Sequence, residues 1–231
     1  MKKPAAKRLY DDACATAHAL DLVGERWALL VIRELMLGAR RFSDLRTALP
    51  GISANVLTQR LEGLEGDGLI LRRKLAPPAT GHVYELTPWG YESEPIFQAL
   101  GRWAARSPKH DPSLPFSAVS LFLSFRTMID PERTGDLTAK VGFRIAGENY
   151  IVRIANGQLT VARAASDALA EADVVFRGTP PAIAAAVYGG RPLDALVAAG
   201  SLDVTGDLAL AARFTTLFRL PPKATAPADV S

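Results

Sequence analysis

The apolar positions change period several times along the chain, and the changes outline its elements. Residues 11–22 carry a helical pattern. Residues 25–38, ERWALLVIRELMLG, repeat it: Trp27, Leu30, Val31 and Leu35 follow a 3.6-residue period, and Gly38 stops the run. Arg40-Arg41-Phe42 predicts a short strand, after which Ser43 caps a short helix running to Leu49, ahead of Pro50-Gly51. Ser53 is a second good N-cap. Behind it Leu57, Leu61 and Leu64 stand at i, i+4 and i+7, the buried stripe of a helix over 53–66. Asn55, Gln59 and Glu62 take the opposite face, Thr58 and Arg60 its flanks, and Gly66 and Gly68 end it. Residues 69–75, LILRRKL, read as a strand. PPATG turns the chain at 77–81, and HVYELT returns as a second strand. Helical spacing comes back over about 88–106, with Ile96, Leu100 and Trp103 as an apolar stripe.

Residues 107–115, SPKHDPSLP, hold three prolines in nine residues and predict a linker. An apolar helix is expected over about 116–129. Three strand-like runs follow, LTAKVGFRIAG, NYIVRIANG and QLTVARA, with Asn156-Gly157 as a hairpin turn between the last two. DVVFRG, 173–178, reads as a fourth strand, and helical stretches near 179–189, 192–199 and 206–219 finish the chain. Strands followed by helices predict an α+β fold. The expected organisation is a first domain over 1–106, a linker over 107–115, a second domain over 116–220 and a disordered tail over 221–231.

A 231-residue chain with 48% hydrophobic and 22% charged residues suits globular domains with real cores. No apolar run approaches the ~18–20 residues of a membrane span. The basic start, MKKPAAKRLYDD, has no apolar run behind it, so no secretory signal is expected. Cys14 is the only cysteine, which rules out an intramolecular disulfide; a cytoplasmic setting without membrane insertion is the simplest reading. The net charge of +3 is uneven: residues 1–111 hold 16 Lys/Arg against 13 Asp/Glu, and residues 112–231 hold 11 against 11. The excess suits a phosphate-binding first half and a neutral second half.

Helix, turn, helix and basic hairpin over 40–86 together predict a winged helix-turn-helix, with double-stranded DNA as its partner. The helix opening at Ser53 suits a major groove. Asn55 and Gln59 both donate and accept, as adenine requires, and Thr58 can donate a hydrogen bond or touch a thymine methyl. Arg40, Arg41 and Arg60 are read as phosphate contacts, which position without specifying. Arg72, Arg73, Lys74 and His82 lie on the wing, where only alternate residues can face a backbone. Glu62, Glu65 and Asp67 repel phosphate. For the second helix alone, a solvated polar face is an equal reading; the ordered set of parts carries the DNA assignment.

Cys14 and His18 share a helical face, but two ligands do not make a zinc site, and neither metal nor cofactor is expected. Cys14 reads either as a buried structural cysteine or as an accessible thiol of lowered pKa that senses oxidants. The second half has no His or Cys, no G-x-S-x-G and no phosphate-binding glycine loop, so no enzyme is expected. It has apolar side chains instead. Phe122, Phe125, Phe143 and Ile145, with Phe176, Val187, Leu196, Phe214 and Phe218, either line an apolar ligand cavity between sheet and helices or fill a core.

Residues 9–106 resemble the HxlR-type winged-helix regulators. The likeness rests on Cys14, GERWALLVIREL (24–35), RRFSDLRTALPGIS (40–53), LTQRLEGLEGDGLILR (57–72) and YELTPWG (84–90). It implies a homodimer joined through terminal helices on a pseudo-palindromic operator, with the recognition helix beginning at Ser53 and the wing tip at Pro77–Gly81. Some members use a cysteine near the start as a sensor. The family usually has Cys-Pro there, and this chain has Cys14-Ala15. Residues 171–218 resemble the end of a sterol-carrier-protein-like domain, through Ala-Asp-Val in a strand and Gly-x-Leu-x-Val-x-Gly-Asp before a last helix. That likeness implies an apolar or lipid effector held in a tunnel. The expectation is a transcriptional regulator, with repression as the default sign. The alternative is a lipid-binding protein whose winged-helix half makes protein contacts.

Overall fold

The computed structural model describes residues 9–225. The chain divides into two compact units, Met1–Glu94 and Pro95–Ser231. No helix among the described residues is long and apolar enough to cross a membrane. The fold is α+β, as expected: a winged helix-turn-helix, then a mixed sheet with helices.

The first unit runs α1 (Ala15–Val23), α2 (Ala28–Leu35), α3 (Phe42–Ala48), α4 (Ala54–Gly66), β1 (Ile70–Lys74), β2 (His82–Leu86) and α5 (Pro88–Tyr91). Its core is aliphatic: Val31, Ile32 and Leu35 of α2 are buried with Leu45 of α3 and with the Leu57, Leu61 and Leu64 stripe of α4. β1 and β2 pair antiparallel from Ile70↔Leu86 to Lys74↔His82.

Several boundaries move, each for a local reason. α1 starts at Ala15 rather than at 11, because the Asp12 carboxylate accepts the Cys14 amide at 2.8 Å and turns the chain first. α2 starts three residues late because Trp27 sits at φ 78°, in the left-handed region, where a helix cannot run. The strand expected at Arg40–Phe42 shrinks to one bridge, Arg40↔Tyr84. Phe42 already opens α3, so Ser43 lies inside that helix instead of capping it; Asp44 Oδ2 accepts the Arg41 amide at 3.1 Å. The helix expected over 88–106 is two helices, α5 and α6 (Glu94–Ala105).

The second unit takes α6, so the break falls before that helix rather than at the expected linker, 107–115. The Ile96, Leu100 and Trp103 stripe of α6 is exposed, Trp103 to 73%. Part of the tail expected to be disordered is held: Pro222 O accepts from Arg106 Nε at 3.2 Å, and Lys223 Nζ donates to Ala105 O at 3.0 Å. Residues 226–231 of that tail, like residues 1–8, lie outside the described residues.

α7 (Ala118–Met128) and α8 (Pro131–Thr134) lead into β3 (Ala139–Ile145), β4 (Glu148–Ala155) and β5 (Gln158–Ala164). A 3-10 turn (Asp167–Glu171), β6 (Val174–Gly178), α9 (Pro180–Val187), α10 (Leu193–Ala198), β7 (Leu202–Gly206) and α11 (Leu208–Thr215) follow. The sheet order is β5-β4-β3-β6-β7, with β3 and β6 parallel and the other pairs antiparallel. Asn156 and Gly157, both at positive φ, make the predicted hairpin turn. β7 lies between the last two expected helical stretches, where no strand was expected. Asp207 stops the strand and caps α11, accepting the amides of Ala209 and Leu210 at 2.9 Å.

On the inner face of this sheet, the aromatic side chains expected either to line a cavity or to fill a core are in contact with one another. Phe143 stacks on Phe176 at 5.3 Å and meets Phe122 of α7 at 5.3 Å and Phe214 of α11 at 5.6 Å. Phe125 meets Phe218 at 4.6 Å. Ile145, Val187 and Leu196 are buried with them. Rings at these separations are in contact, so the aromatic side chains pack as part of the core of this unit.

Candidate nucleic-acid interface

Ser53 Oγ accepts the Val56 amide at 3.3 Å and starts α4. With Leu57, Leu61 and Leu64 turned into the core, Asn55, Thr58 and Gln59 are exposed in one row near the N-terminal end. Thr58 Oγ1 donates to Ala54 O at 3.0 Å, which leaves its lone pairs and methyl outward. Ser53 is exposed too, but its oxygen already accepts the capping bond, so outward it offers its hydroxyl hydrogen and one remaining lone pair. Asn55 and Gln59 thus carry the richest donor and acceptor sets on this face.

The hairpin register sorts the wing. Residues directly opposite share a face, so Arg72, Lys74, His82 and Tyr84 lie on one side, and Arg73, Val83 and Glu85 on the other. Arg72 Nη2 is 3.4 Å from His82 Nδ1. The Arg40 bridge to Tyr84 adds a third basic residue to that row. Arg73 instead pairs with Glu85 at 3.2 Å. It is therefore neutralised in place, on the face away from Arg72 and Lys74.

Two other expected phosphate contacts have protein partners. Arg60 is about one-fifth exposed and pairs with Glu25 at 3.2 Å, which ties α4 to the turn before α2. Arg41 Nη1 donates to Thr80 O at 2.9 Å and so holds the wing tip, where Gly81 sits at φ 97°. Arg41 stays exposed with donors to spare, as a guanidinium has five. Two residues escaped the sequence reading. Glu25 was missed because its partner is remote in the chain. Arg46, exposed on α3, was missed although a basic residue on the first helix of the motif was a usable signal.

Cys14 is exposed, which removes the buried structural reading. It stands at the N-cap of α1. The neutral thiol closes no cap hydrogen bond, but the Thr16 amide and hydroxyl and the Ala17 amide face the sulfur and lower its pKa. Among the described residues, no group of three or more His, Cys, Asp or Glu converges as a metal site.

Comparison with known proteins divides the chain between residues 111 and 113, inside the expected linker and later than the structural break between Glu94 and Pro95. Residues 113–224 match the alkyl sulfatase C-terminal family, in the place where the sequence resemblance put a sterol-carrier-like domain. The first half is similar to the uncharacterised HTH-type regulator YvaP of Bacillus subtilis, 35% identical over 86 residues, spanning 37% of this chain and 80% of that one. YtfH of Escherichia coli is 38% identical over 96 residues, 41% of this chain and 75% of its own. Among solved structures, the reduced form of YodB from B. subtilis is 31% identical with a TM-score of 0.39, covering 43% of this chain and all of that one. Residues 22–111 match the HxlR-like helix-turn-helix model. The capped helix α4, the basic hairpin and the relatives YvaP and YtfH agree: the chain belongs to the HxlR-like family of helix-turn-helix transcriptional regulators.

Proposed function

We propose that the chain is a one-component repressor acting in the cytoplasm. A homodimer sets two copies of α4 on a pseudo-palindromic operator, and the second unit, a non-catalytic module of sterol-carrier type, takes an effector. The observation that carries the reading is the division of α4 into a buried leucine stripe and an exposed row of Asn55, Thr58 and Gln59, on the same unit as a basic hairpin face. The row is suited to base edges, and Arg41, Arg72 and Lys74 to phosphates. Dimerisation is supported by Ile96, Leu100 and Trp103, three large apolar side chains exposed at helical spacing on α6. Because the aromatic side chains of the second unit pack against one another, the effector site is sought on its surface.

Selecting bound fragments from genomic DNA and then measuring affinity against salt tests this reading. A dimer that neutralises six to ten phosphates should lose about 10³-fold or more between 50 and 200 mM salt. Flat salt dependence, or no enrichment of an inverted repeat, would remove the operator reading.

Cys14 is read as a thiol switch on the same protein, supported by its exposure and by the donors facing its sulfur. Oxidant or electrophile should change the operator affinity of the parent protein and leave Cys14→Ser unmoved. An equal response in both proteins sinks this part alone.

A further inference from the structure

On the sheet face turned away from the aromatic core, the register lines up Asn149, Arg144, Arg177 and Asp203 in one row across β4, β3, β6 and β7. Arg144 and Arg177 are direct neighbours in that row, with their strands about 4.8 Å apart. Like charges so placed repel unless something neutralises them. Arg177 is compensated: its Nη1 donates to Asp203 Oδ2 and to Thr205 Oγ1, both at 3.0 Å. Those two contacts also hold the guanidinium in one orientation. Arg144 is exposed, and among the described residues no carboxylate lies within ion-pair distance of it.

Beside this pair lies an open groove of about 410 Å³. Ser166 and Thr205 add hydroxyls to its wall, and Leu169, Ala172 and Val175 make an apolar floor. The floor exists because β3 carries Gly142 here; a Cβ at that position would stand 3.0 Å from Leu169 and 3.2 Å from Ala172. Ser166 Oγ accepts from Asn149 Nδ2 at 3.2 Å, which leaves its hydroxyl hydrogen for a ligand. The volume falls in the ~300–1,000 Å³ range of small-molecule sites. A cationic rim with one uncompensated guanidinium suits an oxyanion, and the floor suits a short apolar body.

We infer that this groove binds a small organic anion, with its carboxylate, sulfate or phosphate head between Arg144 and Arg177 and its apolar body on Leu169, Ala172 and Val175. The inference goes beyond the regulator reading by naming the chemistry and the place of an effector. Binding is measured on the DNA-free protein, so the two can fail separately: operator binding survives an empty groove, and a filled groove survives a missing operator.

Isothermal titration of the intact protein with octanoate, octyl sulfate, octan-1-ol and inorganic sulfate tests it. At least one of the two amphiphilic anions should bind saturably, one per chain, and the tighter one identifies the preferred head. Arg144→Gln should weaken that anion about ten-fold or more, and octan-1-ol and inorganic sulfate should each bind the parent at least about ten-fold more weakly. Arg153→Gln, on the same sheet face but outside the groove lining, should leave the affinity unchanged. The proposal is overturned by no saturable binding of either anion, or by octan-1-ol or inorganic sulfate binding as well as the anions. Unchanged affinity in Arg144→Gln, or an equal loss in Arg153→Gln, overturns it too.

Discussion

Gln59 and Lys74 are both exposed polar residues of the first unit, yet their losses should look different. Gln59 lies on the helix proposed to read base edges, so Gln59→Ala should cost about 1–3 kcal/mol on the preferred operator and flatten the preference among sequences. Lys74 shares the wing face with Arg72 and His82, so Lys74→Ala should weaken all sequences alike and reduce the salt slope by about one. Arg73→Ala should do less, because Glu85 already holds that guanidinium. Binding curves on matched and scrambled operators separate these cases; a uniform loss for Gln59→Ala would take it off the base-reading row. Which side chains share a face of α4 was legible in the sequence, because the helical period alone decides it. The pairings of Arg60 with Glu25 and of Arg41 with Thr80 were not, because they join positions that only folding brings together.

Cys14 adds a pH prediction at the same scale. Its pKa is lowered in the fold, chiefly by the Thr16 amide, so the native protein holds the thiolate more readily than the unfolded chain. The associated stability is present above the unfolded pKa and lost as pH falls through the folded one. Alkylation by iodoacetamide should therefore reach half its maximal rate at lower pH in the native protein than in urea. A native profile at or above the unfolded one would contradict the arrangement at the start of α1.

At the scale of elements, α4 depends on its cap. Ser53→Ala removes the acceptor of the Val56 amide and should lower stability by about 1 kcal/mol in urea unfolding. DNA affinity should fall with it, because the first turn carries Asn55; an unchanged midpoint would show that water caps the helix equally well. α6 raises a different question. Its stripe was legible, but a period says which side chains share a face and not what covers them. Trp103→Glu should convert a dimer to monomers in sedimentation velocity without lowering the melting temperature of the monomer, because Trp103 is exposed in the single chain. A dimer that persists would place the interface elsewhere. β7 was missed for the opposite reason: a five-residue strand between two helices is too short for alternation to declare itself.

At the scale of the molecule, the two units have separate cores of different character, aliphatic in the first and aromatic in the second. Phe143 touches rings from α7, β6 and α11, so Phe143→Ala should cost about 3–5 kcal/mol. Calorimetry should show the transition of the second unit lowered while that of the first stays in place. A single transition shifting as a whole would mean that the units unfold together.

The sequence by itself determined most of the order of the elements, the α+β class, the buried stripe of α4 and the residues opposite it. These follow from periods, caps and turn residues, which act over a few neighbouring positions. Only the tertiary structure decided the rest. It packed the phenylalanines of the second unit against one another, paired Arg60 and Arg73 with carboxylates, exposed Cys14, and set Arg144 beside Arg177 over an apolar groove. The physical reason is the same in each case. Packing and charge pairing act across strands and helices remote in the chain, and no local pattern records which of them will meet.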